Sequence, residues 1–497
     1  MLCTTNGAAK NMLTDILYAV YWNESLTARL PSPLGGCRVS QNLVQHLPEV
    51  NVKLYKFFAV PLLGILGVSA FAQSTATLSG VVTDPTGAVV PNVHITVHSL
   101  ATGLDRSIVT DSAGIYIVPS LQPGDYQVEA TAPGFGKVTI KKVTLDVDMK
   151  VAANISLPLA ATGATIQVQS SASQIESQTI TVGQVIDQTS VQELPLNGRH
   201  FLDLTVLTPG GVVADTAGSL TAASRGLGAN SFITAGNRED SVNFQINGIN
   251  LNDISQNQIT FQPSINTTSE FKINNSTFSA EYGRSDGSIV TVATRSGTDK
   301  FHGEAFDYFR NEALDARNYF NRSYNVTTGV PLTAGTGDKA PLKRDNFGFS
   351  VGGPIWKGHT FFFGSYEGLR QHQGILQNST VISAANQTAI AANKAAEPAA
   401  ALLAALIPLP NNGANFTGFT PGPVQIDQYT LDILHEFSAV DSAHAFYAFQ
   451  HDVRTEPALQ GDTIPGWGDH RHAHRQIGTF SETHIFSPTL VNEVRCV

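Results

Sequence analysis

The feature that most constrains this chain is a change of strand character near residue 298. Within Glu281–Phe320 the β-branched run Ser288-Ile289-Val290-Thr291-Val292 stops at the turn Arg295-Ser296-Gly297-Thr298, and an aromatic strand ending in Phe309 follows. From Lys300 onward the chain is a succession of aromatic strands joined by polar loops. In Asp345–Pro354, Phe347, Phe349 and Val351 fall on one face and Asn346, Gly348, Ser350 and Gly352 on the other. This apolar-out, small-polar-in alternation is what a lipid-facing barrel strand requires. Gly353-Pro354 ends the strand, Lys357-Gly358 supplies a turn, and Thr360–Arg370 returns as its hairpin partner. Further pairs are expected from Tyr429–Ser438 with Ala443–Val453 and from Gln476–Phe486 with Thr489–Val497, while the alanine-rich stretch Ile382–Pro408 predicts helix within a long extracellular loop.

Composition excludes several classes. Charged residues are 14% of the chain, well below the usual quarter of a soluble domain, and small uncharged polar residues take their place, as in exported β-proteins. A net charge of -10 without a basic cluster argues against nucleic acid as a partner, since no basic stripe can release counterions. The cysteines Cys3, Cys37 and Cys496 are too scattered for a disulfide framework, a CxxC pair or a thiolate metal site.

Ahead of the strands, Lys53 and Lys56 precede the apolar run Phe57–Val68, and Ala70-Phe71-Ala72 has the small-residue form of a cleavage site. The run is shorter than the roughly 20 residues of a spanning helix and contains Pro61 and two glycines. Residues 51–72 therefore read as a signal peptide, and 1–50 as an unassigned, over-extended start. Residues 76–160 hold short strands at regular spacing, separated by Asp84-Pro85-Thr86-Gly87, Thr102-Gly103, Asp111-Ser112-Ala113-Gly114 and Pro123-Gly124-Asp125, which predicts a β-sandwich. A polar linker is expected over 161–185, a small α/β domain over 164–298, and a partial barrel over 300–497. The fold class is thus mainly β: a sandwich, a small α/β plug and the first part of an antiparallel transmembrane β-barrel.

Two resemblances sharpen this reading. The runs Gly80-Val81-Val82-Thr83-Asp84-Pro85, Thr110-Asp111-Ser112-Ala113-Gly114 and Leu121-Gln122-Pro123-Gly124-Asp125-Tyr126 resemble the carboxypeptidase regulatory-like domain, a prealbumin-like or carbohydrate-binding-like sandwich without catalytic function. The segments Leu194-Pro195-Leu196-Asn197-Gly198-Arg199, Thr208-Pro209-Gly210, Gly236-Asn237-Arg238, Asn247-Gly248-Ile249-Asn250, Ala280–Arg284, His302–Phe306 and Phe361–Arg370 resemble, in this order, Oar-like TonB-dependent receptors. Asn247 stands where that family places Asp, a small departure because both residues favour the turn. The resemblance implies an outer-membrane receptor for a large scarce solute such as a siderophore chelate or a glycan fragment. Its implied partners are TonB on the periplasmic side and outer-membrane lipid around the wall. Ala164–Gln169 is a candidate for the segment that pairs with TonB by strand addition, a plain linker strand being the alternative. About eight wall strands can be counted, against about 22 in plugged transporters, so the chain reads as C-terminally truncated. An outer-membrane-anchored adhesion or carbohydrate-binding protein is the rival reading from a different class.

No catalytic triad, paired-carboxylate spacing or phosphate loop is present, and Gly226-Leu227-Gly228 lacks the strand-then-helix setting such loops need. No cofactor is expected. His94 and His98 share one strand face and read as half-buried strand residues rather than as metal ligands. The alternating histidines of Asp469–His474 read as a polar loop rather than a metal site. In the plug, Asn197, Arg199, Asn237 and Arg238 are the candidates for touching solute or locking plug to wall. The lock is favoured, because a plug must be held by polar contacts.

Overall fold

The computed structural model describes residues 75–497 apart from 160–165, 169–180, 214–231, 235, 239–240, 254–256, 258, 277, 279–281, 283–286, 317–338, 412, 458–467 and 488–489. The expected signal segment, residues 1–50, Gly226–Gly228 and most of the Ala280–Arg284 turn lie outside the described residues.

The first strands are Ala76–Thr83 (β1), His94–Ser99 (β2), Asp105–Val109 (β3), Ile115–Leu121 (β4), Gly124–Thr131 (β5), Val138–Leu145 (β6), Lys150–Ala152 (β7), Ile155–Ser156 (β8) and Ile166–Val168 (β9). They form two facing sheets, one ordered β4-β1-β7 with β8 also on β1, the other β3-β2-β5-β6-β9. Alternation sets the inner faces: in β5, Tyr126, Val128 and Ala130 point into the core beside Leu78, Ile95, Tyr116 and Leu145. The turns form for local reasons, since Asp84 Oδ1 accepts from the backbone N–H groups of Thr86 and Ala88 at 2.8 and 3.0 Å, closing an Asx turn. His98 pairs with Asp105 at 2.6 Å. His94, expected to be half-buried, is exposed because it starts the strand on the outer face.

The middle of the chain contributes Val182–Ile186 (β10), a short helix Gln188–Glu193 (α1), a 3-10 turn Phe201–Leu207, Val212–Val213 (β11), Phe232–Ile233 (β12), Asn243–Ile246 (β13), Ile249–Asn250 (β14), Thr268–Ser276 (β15) and Ile289–Thr294 (β16). Asp187 caps α1 by accepting from Ser190 N at 2.9 Å. The sheet order is β10-β15-β16-β13-β14, so this sheet begins with residues that composition alone assigns to the linker. Asn247 and Gly248 both have positive φ, 48° and 80°, in the two-residue turn that joins β13 to β14, which is the type I′ hairpin that Asn-Gly favours. All six residues of β16 are buried.

The remaining strands are His302–Asn311 (β17), Leu342–Trp356 (β18), Thr360–Thr380 (β19), Asn415–Pro421 (β20), Val424–Glu436 (β21), Asp441–Glu456 (β22), Asp469–Ser487 (β23) and Leu490–Cys496 (β24). Two helices, Ala384–Ala392 (α2) and Pro398–Leu406 (α3), sit between β19 and β20. The strands make one antiparallel sheet ordered β17-β18-β19-β21-β22-β23-β24, with β20 also on β19; among the described residues its first and last strands are not paired. The expected alternation is present in β18: Phe349 and Val351 are 53% and 41% exposed, while Asn346 and Ser350 are each 4% exposed. The outer face carries a ring ladder of Tyr366, Tyr429 and Phe449, with centroids 4.9 and 6.3 Å apart. Asp469–His474, expected as a loop, is the start of β23 instead, its histidines exposed on the outer face and its register against β22 unbroken. The loop reading failed because alternating His with Arg and Ala is also strand periodicity.

The two regions join at Gly297. A Cβ there would lie 2.3 Å from Phe362 O, 2.6 Å from Phe362 N and 2.8 Å from Gly353 O, so only glycine lets the connecting chain lie on the backbones of β18 and β19. Gly297→Ala is expected to lower stability by about 1–3 kcal/mol in urea unfolding from micelles. Gly364→Ala, whose Cβ would meet nothing nearer than Thr430 O at 3.7 Å, is expected to cost less than about 1 kcal/mol in the same assay.

Candidate functional site at the plug–wall contact

The segment between α1 and the 3-10 turn places two of the expected residues against the wall. Gly198 and Arg199 both have positive φ, 102° and 58°, and this left-handed pair turns the chain so that the side chains on either side reach outward. Asn197 Oδ1 accepts from Arg310 Nη1 of β17 at 2.8 Å and from Arg344 Nη1 of β18 at 3.0 Å. Each wall arginine has a further partner, Asp315 at 2.9 Å for Arg310 and Gln371 at 2.6 Å for Arg344.

Arg199 reaches four partners. Its guanidinium lies 4.4 Å from the Phe306 ring centroid and 4.7 Å from that of Tyr308, within cation–π range. Its Nε faces Glu367 Oε1 at 3.4 Å, and its Nη2 donates to Asn266 Oδ1. Asn266 in turn donates to Glu304 of β17. Asn197 and Arg199 therefore contact three wall strands together.

A second set of contacts joins the segment just before β15 and the end of β16 to the inner faces of β19 and β21. Thr267 Oγ1 lies 2.8 Å from Ser365 Oγ and 3.1 Å from Thr430 Oγ1, and those two hydroxyls are 2.6 Å apart. Gln428 accepts from Ser264 N at 2.6 Å and donates to Gln262 O at 2.9 Å. Asp432 takes hydrogen bonds from Thr294 at 3.1 Å and Ser296 at 2.8 Å, with His444 Nε2 at 2.7 Å. An apolar patch also bridges the two: Phe446, Ala448 and Ile477 of the wall join the core built on Phe201, Phe244 and Phe271.

Beside Arg199, a small cavity of about 60 Å³ opens between the plug and the wall, lined by His200, Ser264, Asn346, Glu367, Gln428 and Gln450 among others. His200 Nε2 and Glu367 Oε2 are buried there without a hydrogen-bond partner. Burial, reinforced by the Arg344 charge, pushes the His200 imidazole down to about 4, so it is neutral at ordinary pH and offers one donor and one acceptor.

Asn237 and Arg238 lie in a different turn, between β12 and β13. There Asn237 N donates to Thr234 O at 2.9 Å, and Arg238 O accepts from Ser241 N at 3.2 Å. The four candidates are thus two pairs, and the pair Asn197 and Arg199 links plug to wall. Sequence reasoning missed Asn266, Thr267, Gln428 and Asp432. The available signal was that amides, hydroxyls and carboxylates such as Ser365, Gln428, Thr430 and Asp432 recur at alternate positions of the wall strands. Among the described residues no group of three or more His, Cys, Asp or Glu side chains could hold a metal ion.

Residues 293–497 match the outer membrane beta barrel domain family, and residues 77–158 match the carboxypeptidase regulatory-like domain family. The C-terminal wall sheet is thus similar to an outer-membrane β-barrel domain, and the N-terminal sandwich to a regulatory-like domain. The chain is also similar to the TonB-dependent transporter Oar of Myxococcus xanthus, with 25% identity over 307 residues, covering 61% of this chain and 27% of that protein. The chain thus spans about a quarter of the length of the curated relative it matches.

Two solved structures are similar at lower identity. The outer membrane transporter YddB from Escherichia coli is 11% identical with a TM-score of 0.38, over 61% of this chain and 36% of that one. A ferric enterobactin receptor mutant from Pseudomonas aeruginosa, solved in complex with enterobactin, is 9% identical with a TM-score of 0.39, over 61% and 39%.

Arg199→Ala removes a cation stacked on two rings and leaves Glu367 buried without it. The expected cost is about 3 kcal/mol in urea unfolding, with earlier proteolysis of the plug segment than of the wall. Arg199→Lys keeps the charge but loses the planar stack, and is expected to recover only part of that loss.

Proposed function

We propose that this chain belongs to a TonB-dependent receptor that takes up a large, scarce solute, a siderophore chelate or a glycan fragment, across the outer membrane. In this reading residues 51–72 direct export, 76–160 form a periplasmic accessory sandwich and 161–185 a linker. Residues 164–298 form the plug, and 300–497 contribute the first part of the wall. TonB displaces the plug from the wall, and the chain carries out no covalent chemistry.

The observation that carries this reading is the character of the plug–wall contact. Much of it is hydroxyl and amide hydrogen bonds, in which Thr267 meets Ser365 and Thr430, and Gln428 meets Ser264. Contacts of this type exchange with water at a small net cost, about 0.5–1.5 kcal/mol each. They suit a plug that must leave and return better than a continuous apolar interface would. Asn197 and Arg199 serve as the lock, and the neighbouring cavity gives water a place to enter when it opens.

The test is uptake by cells carrying the full-length gene, fed in separate arms with iron-loaded chelates and with oligosaccharides, with TonB present or deleted. Accumulation of one solute class that disappears without TonB is the expected result. Surface binding that never becomes uptake, or uptake indifferent to TonB, would overturn the proposal, and the first of these is what an adhesion or carbohydrate-binding protein would give.

A further inference from the structure

Strand β15 is buried on both faces. Phe271 and Ile273, each 0% exposed, enter the plug core. The alternate residues Glu270, Lys272 and Asn274 face the other way and are also buried, at 8%, 2% and 1% exposure. What covers them is the sandwich loop between β6 and β7. That loop is closed by Met149 N donating to Asp146 O at 3.2 Å, and Asp148 within it has φ 53°.

Consecutive loop residues engage alternate strand residues. Val147 N donates to Glu270 Oε1, Lys272 Nζ donates to Asp148 O at 2.9 Å, and Asn274 Nδ2 donates to Asp148 Oδ2 at 3.0 Å. Val147 is itself fully buried in the contact.

We propose that the sandwich is a detachable arm held to the plug by a proton-dependent joint, loop 146–148 on the polar face of β15, which opens when Glu270 gives up its proton. The groups around Glu270 set the sense of the switch. Burial pushes its carboxyl up to about 8, the carboxylates of Asp146 and Asp187 push the same way, and the Val147 N–H and the Lys272 ammonium oppose them. Protonated, the carboxyl is a neutral acceptor under a dry loop. Ionised, it places a charge beside two others of the same sign, and undocking returns it to water.

The docked state therefore binds more protons than the undocked one between the ordinary carboxyl range and about 8. Docking is complete at the acid end of that window and is lost as pH rises through it. Neither cargo nor TonB coupling enters the proposal, so the uptake experiment and this one fail independently.

The test is deuterium uptake by the peptide spanning residues 144–150 in the full chain, held in micelles at pH 5 to 9, with labelling times corrected for intrinsic exchange. For the wild type, protection is expected to fall by up to about tenfold per pH unit between about pH 5 and 8, the slope of a single proton. Glu270→Gln, which keeps the acceptor without the charge, is expected to hold its protection flat across the range. Asp187→Asn, which keeps the cap of α1, is expected to move the midpoint to lower pH. It serves as the second arm if Glu270→Gln fails to keep the amides of Ile273 and Val290 protected. A wild-type profile without slope, the same slope in wild type and in folded Glu270→Gln, or an unmoved midpoint in Asp187→Asn would overturn the joint.

Discussion

The structure depends on one constraint: much of the inner face of the wall sheet is polar, and it is buried because the plug lies against it. Gln428, Thr430, Asp432 and Gln450 are each under a tenth exposed. Side chains of this kind cost free energy when they leave water without partners. For Gln428, Thr430 and Asp432 the partners are Ser264, Thr267, Thr294 and Ser296 of the plug side, and Gln450 accepts from Gln428. Plug and wall are therefore two halves of one hydrogen-bond inventory, and the outer face, with Phe349, Tyr429 and Tyr447 exposed, is left free for lipid.

The central strands of the plug follow from the same constraint. Strand β16 is flanked by β15 and β13 in its sheet, and it leads within three residues to Gly297, where the connecting chain lies against wall backbone. Strand β15 has its apolar face in the plug core and its polar face under the sandwich. One sheet thus serves two neighbours of different chemistry, and the 2.0-residue period of a strand lets a single sequence serve both.

Much of this was legible in the residues. The alternation of Phe347, Phe349 and Val351 with Asn346 and Ser350 is a strong strand signal, because lipid and plug impose opposite demands on the two faces. The Asn247-Gly248 turn, the spaced turns of the sandwich and the alanine-rich helices between β19 and β20 were legible for similarly local reasons. The partners of Asn197 were not. Its acceptor oxygen meets arginines more than a hundred positions away, and nothing in the neighbourhood of residue 197 encodes Arg310 or Arg344. The failure at Asp469–His474 had the opposite cause: polar side chains suggested a loop, although outward positions near the end of a long strand tolerate them. Nothing in the sequence around Glu270 marks it as buried, since its burial depends on a loop from a different domain.

The Asn197 contact has a consequence for the setting in which such a protein works. The plug offers the wall an uncharged amide oxygen, while Asp315 and Gln371 on the wall's own side attend to Arg310 and Arg344. Dissolved ions weaken attraction between charges, strongly so at exposed sites, but have little purchase on an amide or on hydroxyls such as Thr267 and Ser365. The part of the plug–wall grip made by Asn197, Thr267 and Ser365 would therefore hold much the same in dilute water and in brine, where contacts between exposed opposed charges loosen.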